Sequence, residues 1–325
     1  MNRVIASFIL LVSVEILADE QVSAGRIPEE YEAIGGHALG LGNGGAVALP
    51  EVSSVRANPA MLAMQKQYTM TGGYHWPTSG RDFYQVGVVD SKTSPIAAGL
   101  NYTGFLENYK DFIETRGQSF DSSIDSRLSV GLAKVVEKLS VGVSAGMVSA
   151  FKRVDGKIVK VKGTTFGLGV AGLMTKWLRF GVSAENLSNR SVENYAPKTY
   201  RVGAALMSFG GNFTMHLDLR RRERVQGFEF DIDNRLYSSS SGTVDTIEEK
   251  RAPEDSAVAS FSVRVYDLVR LLGSYTQILE SDRSAVSGGV ALVQDEYSLS
   301  YNVSNSNLAQ SGIHSNVNVN VSVAF

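Results

Sequence analysis

GIHSNVNVNVSVAF, residues Gly312 to Phe325, closes the chain. Ile313, Val317, Val319, Val321, Val323 and Phe325 fall on one face of a strand, and His314, Asn316, Asn318, Asn320, Ser322 and Ala324 on the other. Strand side chains alternate with period two, so the segment has one apolar and one polar face. A soluble sheet can carry that pattern. A chain ending on it, at an aromatic residue, suits the closing strand of an outer-membrane barrel, with lipid against the apolar face and the lumen against the polar one.

Working back, the same alternation recurs from Tyr68 onward. Tyr68, Met70, Tyr74 and Trp76 share a face, as do Tyr84, Val86 and Val88, and Ile96, Leu100 and Tyr102. Leu128, Val130 and Leu132 follow, then Leu139, Val141, Val143 and Met147, and later Phe213, Met215, Leu217 and Leu219. Tyr297, Leu299, Tyr301 and Val303 repeat it near the end. No long stretch after residue 68 has helical spacing. Strands of about nine or more residues fit a tilted crossing of hydrocarbon.

Connections fall into two alternating classes. Tight ones lie near Ser91-Lys92, Glu137-Lys138, Thr175-Lys176, Gly210-Gly211, Asp267 and Asp295. Longer polar ones lie near 77–82, 107–123, 154–157, 188–198, 221–255, 280–283 and 305–311. That alternation is the pattern of short periplasmic turns and longer outer loops. The expected fold is an all-β transmembrane outer-membrane antiparallel β-barrel of about 14 strands, occupying residues 68–325. Phe228, Phe230 and Ile232 also alternate, and we place them in a long external excursion spanning 221–255. A 16-strand count, with a partner strand near Gly242 to Thr246, is the alternative.

Residues 1–24 read as an export signal: Arg3, an apolar run from Val4 to Val14 too short to span a bilayer, and small residues at Ala18 and Ala24. Cleavage after Ala24 and after Ala18 both fit. Residues 25–67 are rich in glycine and alanine and lack alternation, so we expect an N-terminal plug within the lumen. Asn58-Pro59-Ala60 reads as an N-cap, a proline at the first helical position and a short helix.

The chain of 325 residues carries a net charge of -2 and no cysteine. Disulfides, Cys-ligated metals, a Cys nucleophile and a lipidated cysteine are excluded. Nothing in the charge suggests nucleic acid; the one dense run, Arg220 to Arg224, is broken by Glu223. Gly142-Val143-Ser144-Ala145-Gly146 matches the G-x-S-x-G hydrolase motif but lies mid-strand, where the strained strand-to-helix turn is missing. The G-x-G-x-x-G matches at Gly40 and Gly167 lack a βαβ unit and read as packing glycines. The four histidines, His37, His75, His216 and His314, are too scattered for a local metal motif. No cofactor or metal is expected, and no enzymatic activity. Arg127, Arg179, Glu185, Arg201, His216, Asp218, Arg220 and Arg264 fall on lumen faces. Buried charges need partners, so they should pair with one another and with plug residues such as Glu29, Glu30 and Arg56. A polar solute path is the competing reading.

Three patches resemble the FadL-like outer-membrane transport proteins and their shorter PorV-like relatives. They are Gly36 to Val47 with Arg56-Ala57-Asn58-Pro59-Ala60-Met61-Leu62, then Leu178 to Leu187, then Tyr200 to Ala205. The resemblance implies a 14-stranded barrel, a plug bearing the Asn-Pro-Ala motif, and passive uptake of small, hydrophobic compounds. Met61 departs from it, standing where a glycine often follows the motif. The partners implied are outer-membrane lipid, the barrel-assembly machinery, which would read terminal Phe325, and a small hydrophobic solute. Two rivals stand beside the channel: a PorV-like accessory barrel that binds or delivers exported proteins, and a barrel hydrolase.

Overall fold

The computed structural model describes residues 45–47, 51–77, 82–106, 122–154, 157–188, 192, 195–208, 212–225, 251–279, 284–294, 297–306 and 314–324. Fourteen strands occur among them: β1 (Tyr68–Pro77), β2 (Phe83–Asp90), β3 (Ile96–Phe105), β4 (Ser122–Val136), β5 (Leu139–Val154), β6 (Lys157–Leu173), β7 (Leu178–Glu185), β8 (Thr199–Met207), β9 (Phe213–Val225), β10 (Arg251–Tyr266), β11 (Val269–Ile278), β12 (Ser284–Val293), β13 (Tyr297–Ser306) and β14 (His314–Ala324). Each pairs antiparallel with its neighbours in sequence, and β1 pairs with β14 from Thr69↔Ala324 to Pro77↔Asn316, closing the sheet. No helix among the described residues is long and apolar enough to cross a membrane.

Alternation gives this closed sheet two unlike faces. Along β5, Val141, Val143 and Met147 are exposed on the outside, while Ser140 is buried within. Along β9, Leu217 and Leu219 point out and His216, Asp218 and Arg220 are buried. A soluble sheet puts its apolar face inward; here the order is inverted, because the apolar face looks out on every side of a closed cylinder.

Strands β4, β5 and β6 are the longest stretch of wall. Beyond the apolar belt they carry a second small core of Ile124, Val148, Ala150, Val192, Tyr195 and Ala196. Val192, Tyr195 and Ala196 belong to the connection between β7 and β8, which therefore folds in against the wall. The Tyr195 hydroxyl donates to the Phe151 carbonyl at 3.2 Å.

The 221–255 excursion needs correcting at both ends. The β9–β10 ladder continues through Arg221↔Asp255 and Glu223↔Pro253 to Val225↔Arg251. Outward Arg221 meets Asp255 with two bonds, of 2.8 and 2.6 Å. The apolar alternation stops there because charge pairs replace apolar contacts, while the backbone ladder continues. Residues 226–250, which include Phe228 to Ile232, lie outside the described residues, as do the expected signal segment 1–24, the stretch 25–44 and Phe325.

Candidate functional site on the inner wall

A segment of the chain's own N-terminal part sits against the inner wall. It holds a short helix, α1 (Ser54–Ala57), and a 3-10 turn, Pro59–Ala63. Asn58 separates them in an extended conformation, which ends the first and starts the second. Its Oδ1 accepts the Ala60 N–H at 3.1 Å, so it does cap the turn, although the helix that follows is 3-10. Pro59 stands at the first position, where a missing N–H costs nothing. The Asn58 amide also donates to the Ala46 carbonyl at 2.6 Å and to the Val170 carbonyl of β6 at 3.3 Å. One side chain thus joins two stretches of the segment to the wall.

The wall receives this segment on glycine. Gly87, Gly99, Gly131, Gly142, Gly169, Gly181 and Gly203 occupy inward positions on β2 to β8, one per strand. Gly99 stands opposite Gly131, Gly142 opposite Gly169 and Gly181 opposite Gly203. A Cβ at Gly142 would run into the backbone of Pro59 and Ala60, and one at Gly169 into Asn58. At Gly99 it would come within 2.7 Å of Val55 and 3.2 Å of Leu62. Removing side chains lets backbone approach backbone, the reading expected for Gly169. Val52, Val55, Leu62 and Ala63 complete an apolar contact with Val89, Ala97 and Ala133 of the wall. Polar ties fix the rest: Ser140 Oγ donates to the Ala60 carbonyl and Ser183 Oγ to the Ala57 carbonyl, both at 2.6 Å.

Charge gathers at one carboxylate. Glu185, at the end of β7, is only 3% exposed. Its Oε1 accepts from Arg56 Nε at 2.8 Å and from Arg127 Nη2 at 3.0 Å, and its Oε2 from Arg201 Nη1 at 2.8 Å. Arg56 belongs to α1, Arg127 to β4 and Arg201 to β8, so three elements meet on one group. Arg127 Nη2 also donates to Asn186 Oδ1 at 2.6 Å, and the Asn186 amide donates to the Pro197 carbonyl at 2.9 Å. Asn186 has φ 61, the left-handed conformation that turns the chain inward after β7 and that Asn tolerates better than most residues.

The remaining candidates divide. Asp218 accepts the Ala46 N–H at 3.0 Å, a second anchor for the segment. Arg220 Nε donates to Ser256 Oγ at 3.0 Å. Buried Arg222 faces Glu254 at 3.6 Å. His216 is buried and Arg179 half-buried, both apart from the Glu185 cluster. Arg264 is exposed and donates to the Asp267 carbonyl at 3.2 and 2.8 Å, holding the β10–β11 turn at the rim. Among the described residues no group of His, Asp or Glu could hold a metal ion.

Sequence reasoning missed Asn186, Arg222 and the glycine row. Asn186 lies within the Leu178 to Leu187 patch, and Arg222 within the arginine run assigned to the 221–255 connection. The glycine row could be read once strand parity was assigned, since all seven positions face inward.

No family model matches the chain, and no curated protein matches it. Solved structures do resemble it. The toluene transporter TbuX of Ralstonia pickettii superposes with a TM-score of 0.63 at 14% identity, covering 90% of this chain and 98% of that one. The monoaromatic hydrocarbon channel CymD gives 0.61 at 14% identity, covering 90% and 97%. The toluene transporter TodX of Pseudomonas putida gives 0.60 at 12% identity, covering 94% and 99%. This chain shares their fold over nearly their whole length. At the level of fold, the likeness to FadL-like proteins is borne out.

Proposed function

We propose that this chain, built on the fold of those hydrocarbon transporters, is a bacterial outer-membrane channel that passes small hydrophobic compounds without an energy source. The observation that carries the reading is a closed sheet, apolar outside and polar inside, with a segment of its own chain seated within. The outward face supports residence in lipid. Trp177 and Tyr266, exposed at the short-turn end, and Trp76 at the other, stand where amphipathic rings settle at membrane interfaces. The short-turn end is then periplasmic. Residues 45–47 and 51–63 belong to the 25–67 plug that narrows the lumen, and the Glu185 cluster and Asn58 hold them. Kinship of fold with toluene and monoaromatic hydrocarbon channels supports a hydrophobic solute. Outer-membrane lipid and the barrel-assembly machinery are the remaining partners of this reading.

The test is uptake of radiolabelled toluene and a panel of other apolar solutes by a deletion strain, with and without the gene restored. Restoration should raise the initial uptake rate, and an uncoupler of the proton gradient should not change it. Equal rates across the panel would sink the channel reading. Recovery of the purified chain in a stable complex with an exported protein would then put the accessory barrel in its place.

A further inference from the structure

Three inward residues share one row of the ladder. Arg179 of β7 stands opposite Ala205 of β8, Ala205 opposite His216 of β9, and His216 opposite Ser260 of β10. Each has a buried polar atom without a hydrogen-bond partner: Arg179 Nε, His216 Nε2 and Ser260 Oγ. His216 is 2% exposed and Ser260 3%. Buried polar groups are nearly always satisfied, because leaving one unmade costs stability. Three unmet neighbours on one stretch of wall mark a place where a ligand supplies the partner. Neighbouring strands lie about 4.8 Å apart, so Arg179 has to lean across small Ala205 to share a ligand with His216.

The chemistry of the row selects the ligand. Guanidinium only donates, a serine hydroxyl can donate, and a neutral imidazole donates from Nε2 in one of its tautomers. Three donors, one of them charged, suit an acceptor-rich anion. The charges around agree. Asp218 is the nearest inward carboxylate along β9; its Oδ1 accepts from the Ala46 N–H while its Oδ2 is buried without a partner, and inward Arg201 and Arg220 stand on its far side to offset its charge. Toward the short-turn end the wall adds Arg264 opposite Arg270, and no carboxylate occupies the described inward positions of β6–β12 below Asp218.

We propose that Arg179, His216 and Ser260 form a binding station for a small oxyanion, a carboxylate or an inorganic anion of sulfate type, on the inner wall at the short-turn end. Arg264 and Arg270 make the approach to it electropositive. The station is separate from the Glu185 cluster, whose arginines are already engaged, and it does not depend on flux of neutral solutes.

The full chain, purified in zwitterionic detergent micelles, is titrated calorimetrically with benzoate, with sodium sulfate and with toluene. Saturable binding of one benzoate or one sulfate per chain is expected. Benzoate alone would make the station a reader of organic acids, and sulfate as well would make it a general oxyanion site. Arg179→Gln should weaken anion binding about tenfold or more, the scale of a charge-assisted hydrogen bond. Arg179→Lys should retain part of it, and Arg221→Gln, on the outer surface, should leave it unchanged. Heat-modifiable migration in gels confirms that each variant is folded. Failure of both anions to saturate by tens of millimolar, or wild-type binding by folded Arg179→Gln, overturns the proposal. A chain that binds benzoate yet passes no toluene in cells would remove the channel reading and leave the station standing.

Discussion

Glu185 accepts three guanidinium groups on two oxygens, and all four side chains are buried. A buried ion pair gains little over an apolar replacement, but removing one partner strands the rest. Glu185→Gln leaves Arg56, Arg127 and Arg201 with a neutral acceptor and no counter-charge. We expect it to cost about 3–5 kcal/mol, read as the shift in the urea unfolding curve of protein reconstituted in vesicles. Arg56→Ala should cost less, because Arg127 and Arg201 still neutralise the carboxylate. A loss under about 1 kcal/mol for Glu185→Gln would mean that water screens the cluster as it does a surface pair. That buried charges would seek partners, Arg56 among them, followed from residue type alone. Which carboxylate would collect them did not. Arg56 and Arg127 lie 129 and 58 positions from Glu185, and only the register of five strands brings them together. Arg264 shows the limit from the other side. Its parity puts it inward, but nearness to the turn leaves it exposed, and alternation carries no information about height in the barrel.

The strands were the most legible elements, because a two-residue period survives wherever one face meets an apolar medium. Legibility ended where that medium ended: the Arg221–Val225 stretch pairs as firmly as the belt below it, yet reads as loop. The segment inside was legible at its punctuation, Asn58 and Pro59, and less so in its seat, since a glycine in a strand signals close approach without naming what approaches. Gly142→Ala tests the seat. The added Cβ meets Pro59 and Ala60 backbone, which has no rotamer to yield. The sheet should still close, with heat-modifiable migration retained, while the Asn58 region becomes open to protease added from the short-turn side. Gly72→Ala is the matched control. It too lies in a strand, but nothing stands within 4 Å of its Cβ position, so digestion should not change. Similar digestion of the two variants would mean that the segment is held by its polar ties alone. Asn58→Ala removes the Asn58 ties and leaves those of Ser140 and Ser183, and its capping bond alone should cost about 1 kcal/mol, seen as faster hydrogen exchange across Pro59–Ala63.

At the scale of the whole molecule, the inverted faces make a demand that no soluble sheet makes: the cost of a charge on the outside must depend on height. In water an exposed arginine costs little anywhere along a strand. In a bilayer it costs about 2–4 kcal/mol at the midplane and about 0–1 kcal/mol near the interfaces, where the side chain reaches headgroups. Strand β5 offers both heights on one outward row. Val143 lies within the belt and Leu139 at its edge, beside the Glu137-Lys138 turn, and their exposures, 51% and 43%, are close enough for burial against protein not to separate them. Val143→Arg should therefore lower folding stability in phosphatidylcholine vesicles by a few kcal/mol, and Leu139→Arg by about 1 kcal/mol or less. Repeating the pair in short-chain and long-chain lipid sharpens the test, since a thinner bilayer brings Val143 nearer to headgroups and should shrink the Val143→Arg cost while leaving the other unchanged. Equal costs for the two variants, or a cost indifferent to bilayer thickness, would mean that the apolar belt does not face lipid. The outward apolar side chains of the sheet would then need a protein partner to cover them, and the channel would have to be given up along with the membrane.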